Sequence, residues 1–137
     1  MTGWVLDAPA ITAFARNQPY AQALVWASLK EGSVLLVPAA ALAEAYAELP
    51  AEEHDAVEVL LGLPITILDL LDAARAADVG SLLADPVDPD EIDHYWAAIA
   101  TGHVVAASRS RDWPVVTDST ARIHALDTTI DIKRLRS

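Results

Sequence analysis

Cysteine is absent from the 137 residues, and with it go disulfide frameworks, thiolate metal sites and cysteine nucleophiles. Positive charge is scarce: nine Lys and Arg stand against 20 Asp and Glu, for a net charge of −11. A body this negative repels phosphate backbones, so nucleic acid can be met only locally. No apolar run reaches the length of a membrane span. The opening MTGWVLDAPAITAF has no basic segment before its apolar stretch and is broken by Asp7 and Pro9, unlike a signal peptide. These absences together point to the cytoplasm. Repeats, low-complexity tracts and interdomain linkers are missing too, so a single domain over residues 1–137 is expected.

What is present is apolar: 53% of the residues are hydrophobic, enough to build a real core. The acidity is uneven. Residues 1–100 hold 16 acids and 3 bases, whereas residues 101–137 hold 4 acids and 6 bases. Any contact with nucleic acid would therefore run through Arg109, Arg111, Arg122, Lys133, Arg134 and Arg136.

The pattern alternates strand and helix. GWVL ends at Asp7 and leads into a helix from Pro9 to Arg16, with Pro in the first turn. A second helix over Tyr20–Lys30, with Leu24, Val25, Ser28 and Leu29 on one face, stops at Gly32. SVLLVP is then a continuously apolar strand, the mark of a sheet covered on both faces. After Pro38, the spacing of Leu42, Ala45, Tyr46 and Leu49 predicts a core-facing helical stripe. Another helix covers 51–61, ITIL is a strand, and 72–83 is again helical. A long helix is predicted from about Asp90 to Arg111, capped by acids of ADPVDPDEID. PVVTDS is a strand, ARIHAL a short helix and IDIKRL an edge strand. Repeated βα units predict an α/β fold: a three-layer α/β/α sandwich around a short, mainly parallel central sheet.

In such sheets the residues just past the carboxyl ends of the strands converge on one crevice. Asp7 follows the first strand, Glu44 sits in the second turn of the helix after VLLVP, and Asp118, with Thr117 and Ser119, closes PVV. Carboxylates that converge repel one another unless a cation compensates, so the trio makes a candidate Mg2+ or Mn2+ site, with catalytic and metal-holding roles for Asp7, Glu44 and Asp118. Each acid also has a purely structural use: Asp7 as a helix cap, Glu44 as a solvated helix residue, Asp118 as a turn residue.

Taken in order, WVLDAPAITAFA with Asp7, VPAAALAEAYAEL with Glu44, and TGHVVAASRSRDWPVVTDS resemble the PIN-domain family, the nuclease fold that includes VapC-type toxins, over essentially the whole chain. The resemblance implies a PIN-like fold and a divalent-dependent endoribonuclease that would act on RNA, pair with an antitoxin protein and form a homodimer. Its late motif is Thr-x-Asp preceded by a helical Asp. Thr117 is retained here, but Thr101 stands where the helical Asp is expected and Ser119 where the final Asp is expected. Glu48, one turn beyond Glu44, and Asp93, two turns before Thr101, are candidates to compensate. The alternative to a nuclease is a catalytically inactive PIN-like binding or regulatory module. A receiver-like domain also uses strand-end acids, but a suitably placed strand-terminal Lys is missing.

His103 reads as either a general base beside the crevice or a packed core histidine. His54, His94 and His124 share no metal spacing. Trp96 is expected in the core, Trp26 at an interface and Trp113 beside an apolar stretch. Arg109 and Arg111 are candidate RNA contacts, and Gly102 marks a close helix–strand approach.

Overall fold

The computed structural model describes residues 2–92 and 95–136, with Tyr95 and Trp96 described by their backbone alone. Asp93 and His94 therefore lie outside the described residues, as does the side chain of Trp96.

Among the described residues the chain runs β1 (Gly3–Leu6), α1 (Ala8–Ala15), α2 (Pro19–Glu31), β2 (Val34–Pro38), α3 (Ala39–Glu48), α4 (His54–Gly62), β3 (Thr66–Asp69), α5 (Ala73–Ala84), α6 (Tyr95–Arg111), β4 (Val115–Thr117), α7 (Thr120–His124) and β5 (Ile132–Arg134). The five strands form one sheet in the order β3-β2-β1-β4-β5, and every pairing is parallel. The expected α/β sandwich is present. No helix of the described residues is long and apolar enough to cross a membrane.

All five residues of β2 are buried. Successive side chains of a strand point to opposite faces, so complete burial means that helices cover both sides of the sheet. The fully buried Leu6, Leu35, Leu36, Ile11, Leu60 and Ile123 fill the core between these layers. Gly32 ends α2 as expected, taking φ 75°, a left-handed conformation that glycine adopts without steric cost.

The strand order places the site. The chain begins in the middle of the sheet at β1, builds outward through β2 and β3, then returns to the other side of β1 for β4 and β5. The reversal leaves the ends of β1 and β4 side by side with their connections leaving in opposite directions, which opens a crevice there.

Two local expectations are revised. The long helix does not begin at Asp90: Pro89–Glu91 form a separate 3-10 turn capped by Asp88, and Ile92 is extended, so the described helix starts at Tyr95. Gly102 serves a helix–helix contact instead of a helix–strand one, because a Cβ there would meet Val79 of α5 at 2.8 Å. Gly3 is comparably constrained: a Cβ would fall 2.6 Å from the Trp113 ring, which stacks flat against the start of β1. Gly80 in α5 faces open space.

These surroundings predict opposite outcomes for two matched substitutions. Gly3→Ala is expected to lower stability by about 1–3 kcal/mol through overpacking against the indole, whereas Gly80→Ala is expected to raise it by about 0.5–1 kcal/mol through helix propensity. Urea denaturation of both variants checks the pair; equal stabilities would refute the packing described at Trp113.

Candidate functional site

Asp7 leaves β1 with extended backbone angles (φ −83°, ψ 178°) and caps α1, its Oδ1 accepting the Ala10 N–H at 3.1 Å. Its own N–H donates to the Val116 carbonyl, tying the end of β1 to β4. The residue is 3% exposed, and its second oxygen, Oδ2, accepts from Arg122 Nη2 at 2.8 Å. The structural use and the site use of Asp7 thus coincide: one oxygen caps, the other faces the crevice.

The turn after β4 delivers Arg122. The Thr117 hydroxyl accepts the Ser119 N–H at 3.1 Å, and Ser119 Oγ caps α7 by accepting the Arg122 N–H at 3.2 Å. Starting α7 at this point carries residue 122 back over the strand ends. Its Nη2 lies 2.8 Å from Asp7 Oδ2, 3.3 Å from Thr117 Oγ1 and 3.4 Å from Asp118 Oδ1. Thr117 is fully buried, and the Arg122 side chain is 22% exposed.

Burial is the largest influence on Asp7 and pushes its carboxyl up to about 6, against the opposing pull of the Thr117 hydroxyl, the Arg122 charge and the Ala10 N–H. Desolvation outweighs all the hydrogen bonds arranged to offset it.

Of the residues picked from the sequence, the structure brings Asp7, Thr117, Asp118 and Ser119 together around Arg122. Asp118 does turn toward the crevice, though its side chain is 58% exposed. Thr101 is buried and lines a narrow cleft with Arg122. Glu44 lines a neighbouring apolar groove with Ala39, Ala40, Ala43, Leu71 and Ile99, while Glu48 lines the crevice that holds Asp118 and Arg122. Arg16, Arg134 and Arg136 line that crevice too. Arg109 pairs with Asp127 at 3.3 Å, and Arg111 stacks over Trp113 at 5.2 Å. Trp26 is 42% exposed and packs at a tilt on Phe14.

With Arg122 in place, the described residues offer a divalent ion no ready site. Among the described residues no three Asp, Glu or His side chains converge closely enough to hold one, and the Asp7 carboxylate has both oxygens engaged, one by a protein cation. Mg2+ and Mn2+ demand several oxygen ligands about 2.0–2.2 Å away, whereas the atom that Asp7, Thr117 and Asp118 share is a nitrogen of Arg122.

A second ionic cluster lies at the end of β3, where His103 meets Asp69 and Arg75, neither of which stands out in the sequence. Asp69 accepts two hydrogen bonds from Arg75 (Nε and Nη2, both 3.0 Å) and one from His103 Nε2 at 2.7 Å. The Ala40 N–H donates to Nδ1 of His103 at 3.3 Å, so the imidazole is neutral with its proton on Nε2. Burial, the largest influence, lowers the His103 pKa, and the hydrogen bond to Asp69 only partly reverses it. On Asp69 burial is again the largest influence and acts upward, but Arg75 and His103 together hold its carboxyl below the usual range. Completely buried and fully bonded, His103 is the packed core histidine and welds α6 to β3 and α3. Asp69 was findable, because it follows ITIL as Asp7 follows GWVL. His54 and His124 donate to the carbonyls of Leu49 and Ile130.

No protein-family model matches the chain, and no curated protein is detectably similar in sequence. Solved structures are similar in fold. VapBC2 from Rickettsia felis, bound to a DNA fragment from its promoter, matches with a TM-score of 0.69 at 11% identity over 97% of this chain and 98% of that one. DNA-bound VapBC from Salmonella typhimurium matches with 0.67 at 17% identity over 98% of each chain. VapC20 of Mycobacterium tuberculosis, a toxin that cleaves the sarcin-ricin loop, matches with 0.60 at 14% identity over 82% and 87%. The chain has the fold of VapC-type PIN domains.

The raised Asp7 carboxyl has a consequence for stability. Between its ordinary 3.8 and about 6 the folded chain holds a proton that the unfolded chain releases, so this contribution to stability falls as pH rises through that window, by up to about 3 kcal/mol. Asp69 and His103 act in the opposite direction, losing stability as pH falls, but they are common to wild type and variant. The stability of wild type relative to Asp7→Asn is therefore expected to decline from pH 4 to pH 7 in urea titrations at fixed ionic strength. Parallel profiles for the two proteins would refute the burial of an ionisable Asp7.

Proposed function

We propose that this protein is a VapC-like partner in a toxin–antitoxin-type pair that works as a binding module and does not hydrolyse RNA by divalent-metal catalysis. The observation that carries the reading is the 2.8 Å bond from Arg122 to the buried Asp7 carboxylate. A metal-dependent nuclease must offer that oxygen to an ion which polarises the phosphodiester and activates water; here the oxygen belongs to a guanidinium. Thr101 and Ser119, neutral where the resemblance expects carboxylates, support the same reading, and the net charge of −11 disfavours extended contact with RNA.

An antitoxin-type protein is the proposed partner, since the similar solved structures include VapBC and FitAB assemblies. The resemblance also implies a homodimer, which light scattering of the purified chain would test.

The reading predicts that the purified protein leaves RNA intact at millimolar Mg2+ or Mn2+, and that Asp7→Asn changes nothing in that assay. Cleavage that needs the divalent ion and disappears in Asp7→Asn would reverse the proposal and make the chain a metal-dependent endoribonuclease.

A further inference from the structure

We propose that Arg122 is the site's resident cation: its Nη2 occupies the position a divalent ion would take among Asp7, Thr117 and Asp118, and that occupancy keeps divalent ions out. The inference rests on the reading of the protein as a module without metal chemistry, and it names the residue responsible.

The geometry is that of an ion with its ligands. Among the described residues, three oxygens approach one nitrogen at 2.8, 3.3 and 3.4 Å, contributed by a buried carboxylate, a buried hydroxyl and a carboxylate at the rim. These come from the two strand ends that flank the sheet's reversal, Asp7 after β1 and Thr117 with Asp118 after β4. A metal ion with oxygens about 2.0–2.6 Å away cannot share that point with a nitrogen atom. Displacing the nitrogen would leave a guanidinium that is only 22% exposed without its most buried partner, a change that is costly for a desolvated pair.

Charge explains why an arginine suffices. With Thr101 and Ser119 uncharged, the described residues around Nη2 supply one buried carboxylate and one exposed one. That charge matches a weakly hydrated monovalent guanidinium, and the oxygens become open to a hard dication only when the arginine is absent. Ser119 contributes a second time, because its hydroxyl caps α7 through the backbone N–H of Arg122 itself. The residue that fails to supply a carboxylate is the one that positions the replacement cation.

The test is an electron paramagnetic resonance titration with Mn2+ alone on wild type, Arg122→Gln and the double variant Asp7→Asn/Arg122→Gln, each checked for folding by circular dichroism. Wild type is expected to leave the free Mn2+ signal undiminished to millimolar concentration. Arg122→Gln is expected to deplete it with at least about tenfold higher affinity, and the double variant is expected to lose that gain. If folded Arg122→Gln binds no better than wild type, Arg122 is not what excludes the ion: the inference falls and the binding-module reading stands. If wild type itself binds Mn2+ and Asp7→Asn abolishes this, the binding-module reading falls as well. A second measurement does not depend on the Arg122 variant folding. The Arg122 guanidinium protons are expected to exchange slowly in nuclear magnetic resonance spectra of wild type and rapidly in Asp7→Asn; rapid exchange in wild type would overturn the inference.

Discussion

A carboxylate buried to 3% exposure at the end of the central strand is the constraint around which this end of the molecule is organised. Removing such a group from water costs several kcal/mol unless hydrogen bonds and an opposite charge compensate. Three groups contribute to that compensation. The first turn of α1 supplies a backbone N–H, β4 supplies Thr117, and α7 supplies Arg122. Because these groups come from segments more than 100 residues apart in the chain, the compensation also closes β1 and α1 onto β4 and α7. A carboxyl still pushed to about 6 shows that the compensation is incomplete.

The end of β3 meets the same difficulty with other partners. Asp69 is neutralised by Arg75 from the following helix, while His103 from α6 donates a third hydrogen bond and takes the Ala40 N–H on its other nitrogen. Arg75 presents its planar fork to both carboxylate oxygens, which a lysine could not do. The net effect on Asp69 is therefore opposite to that on Asp7: Arg75 and His103 overcome the shallower burial of Asp69, whereas Thr117, Arg122 and the Ala10 N–H do not overcome the deeper burial of Asp7. Both strand-end acids are satisfied from within the protein.

The alternation of strands and helices, the parallel sheet and the convergence of Asp7 with Asp118 are legible in the sequence because each depends on local periodicity or on the general rule for strand ends, whereas Glu44, expected with them, lines the neighbouring groove. The role of Arg122 is not legible that way. It pairs with a residue 115 positions earlier, and nothing in the spacing of a five-residue helix announces which side chain will cross the crevice. His103 and Asp69, 34 positions apart, fail for the same reason. The neighbour of Gly102 is a helix and not a strand, because helical periodicity identifies a close contact without saying which element makes it. The start of α6 falls later than the acids suggest, since Asp88, Asp90 and Glu91 look alike as caps, and only the fold decides that Asp88 caps a short turn that Ile92 ends.

Two features that look like separate defects belong to one arrangement. Substituting neutral side chains at positions 101 and 119 would, with nothing else changed, leave Asp7 as a buried anion with little reason to remain ionised or buried. An arginine alone, added to a full set of carboxylates, would compete with a doubly charged ion that such a set binds far better. Together they are consistent: fewer negative charges, a singly charged partner, and a serine whose hydroxyl sets the helix that carries it. The crevice at the sheet's reversal keeps the fold's geometry while its electrostatics are those of an internal salt bridge. An arginine so placed presents a small exposed edge to the groove it shares with Arg16, Arg134 and Arg136. Glu48 and Asp118 line the same groove and Arg16 pairs with Glu53, so these arginines are set against neighbouring carboxylates and do not form an uninterrupted cationic patch.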